Sequence, residues 1–266
     1  MKICVSSEST IDLSKEQLQE FGIKTVPFTI LLGEQTGHDG EITPEEIFDY
    51  VDRTGVLPRT SAINELQYEE HFAKIFEEYD EIIHVAFSSK LSSAYENLMK
   101  VAANNPHIHV IDSLTLSTGI GLLAIYASEL VKKGLDVNEI VEKVSKRVPF
   151  VQVSSVISTL DYLRKGGRCS ALVKISAQLL RIRPQIVIKG GTINVGKRYI
   201  GKQVDCIEKY CDDTLKEFNN PDLSIAVLAY TSATPNMLEV ARNKLINRGF
   251  KKILECPAGH SNIFLK

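Results

Sequence analysis

The chain has 266 residues and a mass of 29.6 kDa. That is close to the size at which one hydrophobic core stops growing, so two lobes are expected. Apolar residues make up 44% and charged residues 24%, an ordinary globular balance. The formal charge of −2, with no basic stripe, argues against nucleic acid as the main partner. Five cysteines (Cys4, Cys169, Cys206, Cys211, Cys256) form no Cys-x-x-Cys pair, and their odd number speaks for a reducing cytoplasm over a disulfide framework.

The opening Met1-Lys2-Ile3-Cys4-Val5-Ser6-Ser7-Glu8 is too short and too soon acidic for a signal peptide. Ile3 to Ser6 reads as a strand. Ser14 and Gln17 make a capping box for a helix to Phe21, stopped by Gly22. Lys24 to Leu32 is strand-like, and Thr43, Pro44 and Glu46 open a helix through Val51. Asn64 to Glu77 is helical by apolar spacing, and Glu81 to Phe87 is a buried strand. His107 to Ile111 is a strand, Thr118 to Lys133 a helix, and Asp136 with Glu139 opens another to Arg147. Leu114 to Leu130 is apolar, but serines, a threonine and glycines interrupt it, which predicts a buried helix before a membrane span. Such alternation implies parallel pairing, with ligands at the carboxyl ends of the strands.

Beyond Pro149 the pattern changes. Val151 to Val156 is a strand, and a helix ends at Lys165-Gly166-Gly167-Arg168. Ile186 to Ile188 and Thr192 to Val195 flank Lys189-Gly190-Gly191 as a hairpin. Asp205 is expected to cap a helix to Phe218. Leu223 to Tyr230 is a strand, Thr234-Pro235 opens a helix to Arg248, and Lys251 to Cys256 is the last strand. The predicted class is α/β: a doubly wound parallel lobe over 1–149 and a mixed-sheet lobe over 150–266, with the segment near 58–78 placed against the second lobe.

The most informative stretch is Ser88-Ser89-Lys90-Leu91-Ser92-Ser93-Ala94-Tyr95-Glu96, entered from the apolar run Ile82 to Phe87. It sets several hydroxyls beside the unpaired amides of a helix N-terminus, which suits a small anion. Ser93 and Glu96 also read as a capping box, which needs no ligand. Thr60-Ser61 is a second hydroxyl pair where caps live. Arg168 follows two glycines on an adaptable turn, and His260 lies in a loop after the last strand. Gly119-Ile120-Gly121 matches a dinucleotide fingerprint in letters only, because seven residues separate it from the strand ending at Ile111. His107 and His109 share a strand face with no cysteine or carboxylate nearby in sequence, so no metal site is expected. No Walker loop and no Gly-x-Ser-x-Gly elbow occurs.

These same stretches resemble the DegV family of bacterial fatty-acid-binding proteins, over essentially the whole length. Ser7-Glu8-Ser9-Thr10-Ile11-Asp12-Leu13 is similar to the family's Thr-Asp-Ser-Thr-x-Asp-Leu start. Thr60-Ser61-Ala62 resembles its Thr-Ser-Gln motif, and Ser88 to Tyr95 its Ser-Ser-x-Leu-Ser-Gly-Thr-Tyr. Val110-Ile111-Asp112-Ser113, Leu163 to Arg168, Arg183-Pro184 and His260 fall in family order. The resemblance implies two α/β lobes enclosing a long-chain fatty acid, with no cofactor, no metal and no catalytic centre. It implies a carboxylate held by Thr60 and Ser92, with Ser61 and Ser93 beside them and Arg168 and His260 near the head group. It also implies presentation of the acid to a separate fatty acid kinase that makes an acyl phosphate, with transient contact at a membrane surface.

The chain departs from the family at Ala62, Ser93, Ala94 and the ending His260-Ser261-Asn262-Ile263-Phe264, which bears on ligand and partner choice. An apolar slot lined from Ile82 to Phe87 is expected for the tail. The alternative function is a hydrolase or acyl transferase using Ser92 or Ser93 with His260.

Overall fold

The computed structural model describes residues 1–157, 182–231 and 233–258. The first half runs β1 (Ile3–Glu8), α1 (Lys15–Phe21), β2 (Ile23–Val26), β3 (Thr29–Leu32), β4 (Gln35–His38), α2 (Pro44–Thr54), β5 (Arg59–Ser61) and α3 (Glu65–Phe76). It continues with β6 (Glu81–Ala86), α4 (Ala94–Ala103), β7 (Ile108–Asp112), α5 (Thr118–Lys132) and α6 (Val137–Arg147). The rest is β8 (Val153–Val156), β9 (Ile182–Lys189), β10 (Thr192–Ile200), α7 (Gln203–Glu217), β11 (Ile225–Tyr230), α8 (Pro235–Arg248) and β12 (Lys252–Pro257).

Strands β2, β1, β6 and β7, in that order, form a parallel sheet. A parallel sheet covered on both faces needs apolar strands, and β6 is buried at every position. Alternate side chains serve opposite faces. Val5, Ile83, Val85 and Ile111 pack with α1, α5 and α6, while Cys4, Ile82, Ala86 and Ile108 pack with α3 and α4. In α5, ten of fifteen residues are buried. A Cβ on Gly119 would stand 2.4 Å from Val153 Cγ2, and one on Gly121 would stand 3.3 Å from the Ile11 carbonyl oxygen. Both glycines therefore serve close helix packing. Among the described residues no helix is long and apolar enough to cross a membrane.

Lys24 to Leu32, expected as one strand, is two. Pro27 cannot donate to a ladder and separates them. Beyond it β3 pairs antiparallel with β4 and β5 in a small second sheet, order β4-β3-β5. Ile30, Leu32, Ile42 and Ile47 form that sheet's own core, with Phe48 and Tyr50 of α2 packed against it. Thr60 and Ser61 thus lie in β5, and not at a helix cap; the cap of α3 is Asn64. From the same stretch of chain, α3 packs on α4, β2 and β6. The capping boxes at Ser14 and Thr43 are formed as expected. Asp205 is not a cap: α7 begins at Gln203 and Asp205 lies in its first turn.

The second half holds an antiparallel sheet β10-β9-β8 and a parallel pair β11-β12, with α7 packed on α8. The expected hairpin joins β9 and β10 through Gly190 (φ +57°) and Gly191 (φ +83°), both in the left-handed conformation that a two-residue I′ turn requires. Ile157, Ile186, Ile193, Leu254 and Cys256 share one apolar cluster with Val5 and Ile120, so the two halves of the chain meet in a continuous core. The helix expected to end at Arg168, together with Arg168 and His260, lies outside the described residues.

Candidate ligand-binding site

The serine turn begins where β6 ends. The Phe87 amide donates to Glu8 Oε2 at 2.8 Å. The chain then tightens: the Leu91 amide donates to the Ser88 carbonyl at 3.0 Å, and the Ser89 amide to Asp112 Oδ1 at 3.2 Å. Ser92 Oγ accepts from the Ala94 amide at 3.1 Å. Ser93 stands at the N-cap position but is already helical (φ −71°, ψ −6°), and its side chain caps nothing. The predicted Ser93–Glu96 box is therefore not formed, because a capping side chain needs an extended backbone. Ser92, half-buried, takes an amide on its oxygen, and its O–H donates to no acceptor among the described residues; Ser93 is exposed.

The hairpin tip between β9 and β10 sits on this turn. Ser88 Oγ donates to the Gly191 carbonyl at 2.9 Å, and Lys90 Nζ to the Gly190 carbonyl at 2.7 Å. A Cβ on Gly191 would lie 2.8 Å from Ser88 Oγ, so only glycine allows the approach. Next to the hairpin strands is a cavity of about 630 Å³, bounded by α5, β8, Ile186 and Ile188 of β9, α7 and β11. That is a typical size for a small-molecule site. All six residues of β11, Ile-Ala-Val-Leu-Ala-Tyr, are apolar or aromatic, yet none is buried. On the cavity wall the Tyr210 and Ser154 hydroxyls pair at 2.8 Å, and burial pushes the Tyr210 phenol up to about 12. Ile82 to Phe87 do not line this cavity. Helices already cover both faces of their strand, which corrects the expected slot.

A buried polar cluster facing α3 was not read from the sequence. Ser6, Glu8, Tyr68 and His84 have no solvent exposure. Tyr68 donates to Glu8 Oε1 at 2.8 Å, and His84 Nε2 stands 3.3 Å from the same oxygen. Ser6 Oγ lies between His84 Nδ1 at 3.1 Å and His71 Nε2 at 2.7 Å. Burial alone would raise the Glu8 carboxyl. The His84 charge and hydrogen bond, with donors from Phe87 and Tyr68, outweigh it and hold Glu8 below its ordinary value. Burial, and then the His84 charge, push His71 down to about 3, so it is neutral. Hydroxyl, imidazole and carboxylate stand here in triad order, but the hydroxyl is shared with a second imidazole and no substrate can reach it. Its members lie far apart in sequence, and the one local signal is His84 and Glu8 within apolar strands.

Thr60 is half-buried and Ser61 exposed. The Asn97 side-chain amide of α4 donates to the Ile63 carbonyl at 2.9 Å, tying the segment that follows Thr60 to the helix that follows Ser92. At the other end of the parallel sheet His107 and His109 do have a carboxylate, from the neighbouring strand: Glu81 meets them at 2.9 and 2.8 Å. Among the described residues no group of His, Cys, Asp and Glu could hold a metal ion. Burial pushes the Cys4 thiol up to about 12 and Cys211 up to about 11, leaving both protonated near neutrality.

Residues 2–263 match the family model described as "Uncharacterised protein, DegV family". A DegV domain-containing protein of Deinococcus radiodurans is 29% identical over 205 residues, covering 76% of this chain and 73% of that protein. A Thermotoga maritima protein named "Fatty acid-binding protein" is 28% identical over 224 residues, 80% of this chain and 78% of its own length. Among solved structures, a DegV family protein from Thermus thermophilus described by its fatty acid binding superposes with a TM-score of 0.86 at 24% identity, covering 97% of this chain and 93% of that one. At that identity the likeness is one of fold, α/β with a parallel sheet.

Proposed function

Because the chain belongs to the DegV family, we propose that it is a carrier that binds a long-chain fatty acid in the cavity between α5, β8 and β11. The observation that carries this reading is β11, an apolar strand with no buried residue beside a cavity of about 630 Å³. Apolar surface of that extent in a molecular interior calls for an apolar occupant. Burying a sixteen-carbon tail is worth about 0.8 kcal/mol per methylene, on the order of 11 kcal/mol before ordering costs. Each hydrogen bond to an ionised head adds about 1.5–3 kcal/mol. The tail therefore supplies affinity and the polar end fixes direction.

In this reading the carboxylate lies toward the serine turn, where the Ser92 O–H has no acceptor among the described residues and Thr60 follows on β5, with Ser61, Ser93, Arg168 and His260 around it. The carrier then presents the acid to a kinase that forms an acyl phosphate. The free thiols Cys4, Cys206 and Cys211 suit a cytoplasmic setting. A carrier fits better than a hydrolase, since among the described residues neither Ser92 nor Ser93 is hydrogen-bonded to a histidine or a carboxylate, Ser93 is exposed, and the Ser6–His84–Glu8 array is sealed. The test is denaturing extraction of protein purified from a bacterial host, followed by mass spectrometry. A stoichiometric long-chain acid is expected; no acyl chain and no saturable uptake of labelled fatty acid would overturn the reading.

A further inference from the structure

Helix α5 walls the cavity along most of its length. Thr118, Leu122, Tyr126 and Glu129 recur on one stripe of the helix, and all four line the cavity. From Thr118 to Glu129 that stripe is about 17 Å long at the helical rise. A saturated chain advances about 1.3 Å per carbon along its zigzag of C–C bonds, so about thirteen carbons cover it.

Among the described residues the wall changes character along the stripe. At the first turn of α5 it is closed, with Ser117, Thr118 and Gly119 buried. At the last turn it is open: Glu129, Phe150, Asn219 and Asp222 line the cavity and are all exposed. Phe150, just after α6, is 69% exposed despite its large apolar ring. On the same rim the Arg147 guanidinium meets Asp222 at 2.6 Å, which joins the end of α6 to the segment before β11 and holds the two sides of the opening together. The serine turn adjoins the closed end, where the Ser88 amide donates to the Thr115 carbonyl at 3.2 Å in the segment leading into α5. A carboxylate held at that turn sends its tail along α5 toward the open end.

We propose that the cavity is a tube closed near the serine turn and open beside Phe150, so that acyl chains longer than α5 run out over that ring instead of being refused. This rests on the fatty-acid reading and narrows its substrate class: long and very long saturated acids alike, with a lower limit on chain length and no sharp upper one. Inside the tube each methylene leaves water, which is worth about fourfold in affinity. Past the rim a methylene keeps most of its contact with water, so the gain fades. In a tube closed at both ends, extra methylenes would instead overpack the far wall and cost affinity.

Competition against labelled palmitate with saturated acids of fourteen to twenty-two carbons tests this. Affinity should climb severalfold per methylene up to about eighteen carbons and then level, changing by less than about threefold from eighteen to twenty-two. A larger fall over that last interval, or an undiminished climb, would overturn the proposal. A ¹³C label on the terminal methyl reads the same end directly. A water-soluble paramagnetic agent should broaden that signal in the bound twenty-two-carbon acid and spare it in bound myristate; equal protection of both would also overturn the proposal. Phe150→Asp, at an exposed position, should weaken the twenty-two-carbon acid about fivefold and leave myristate unchanged. Wild-type affinity for both acids in F150D would overturn passage over Phe150. Wild-type protein that takes up none of the acids would instead overturn the fatty-acid reading itself.

Discussion

Glu8 is kept ionised in a place without solvent by His84, Tyr68 and the Phe87 amide, and His71 beside it is kept neutral. The signs of the two groups agree. His71 falls to about 3 in the fold against about 6.5 unfolded, so below about pH 6.5 the unfolded chain takes a proton that the fold refuses, and stability drops. Glu8 is lowered, so its contribution is present above about pH 4.3 and is lost as pH falls through its folded value. Urea unfolding should show wild type losing stability from about pH 6.5 to 5, with His71→Gln losing less over that window; parallel declines would acquit His71. At the serine turn, Ser92→Ala should weaken palmitate binding about tenfold. Ser93→Ala should leave it within about twofold, because Ser93 is exposed and caps nothing. Tail burial dominates affinity, so Arg168→Ala should keep binding within about tenfold while acyl phosphate formation with the cognate kinase falls further. Equal losses in a paired binding and kinase assay would make Arg168 a ligand holder only.

Among the elements, those whose signals are local were legible. Ser14 with Gln17 and Thr43 with Glu46 lie within four residues of one another, and each box forms at the helix start that the sequence indicated; Asn64 with Gln67 forms a third box that was not read. Ser93 with Glu96 has the same spacing and fails, because what decides it is the backbone angle at Ser93, set by the turn that Ser88 and Ser92 make upstream. Strand β4 was not legible at all. Gln35 to His38 is polar and glycine-containing, and it exists because β3 offers it a ladder. The hairpin was legible from its two glycines, but its seat on Ser88 was not, since residues 88 and 191 meet only in the fold. Those glycines differ in what they can bear. Nothing stands within 4 Å of a Cβ at Gly190, whereas one at Gly191 meets Ser88 Oγ at 2.8 Å. Gly190→Ala should cost about 1 kcal/mol for its left-handed backbone, and Gly191→Ala about 2–3 kcal/mol, in denaturant titrations of the two proteins.

For the molecule as a whole, a cavity lined by an unburied apolar strand makes stability conditional on its contents. Stripping the lipid should lower the melting temperature, and returning palmitate at about 100 times its dissociation constant should restore about 2.7 kcal/mol. A melting temperature indifferent to delipidation would argue that the cavity is empty in solution. The small sheet β4-β3-β5 behaves differently from that shared core. Its interior is Ile30, Leu32, Ile42 and Ile47, a cluster separate from the one that joins the two halves. Thr60 sits on that sheet, and hydrogen exchange is expected to show its amide protons trading with deuterium through local openings cheaper than global unfolding, with β1 and β6 protected longer. Occupying the site should slow that trade in β5 first, so the earliest footprint of the ligand would be written on an edge strand outside the parallel sheet.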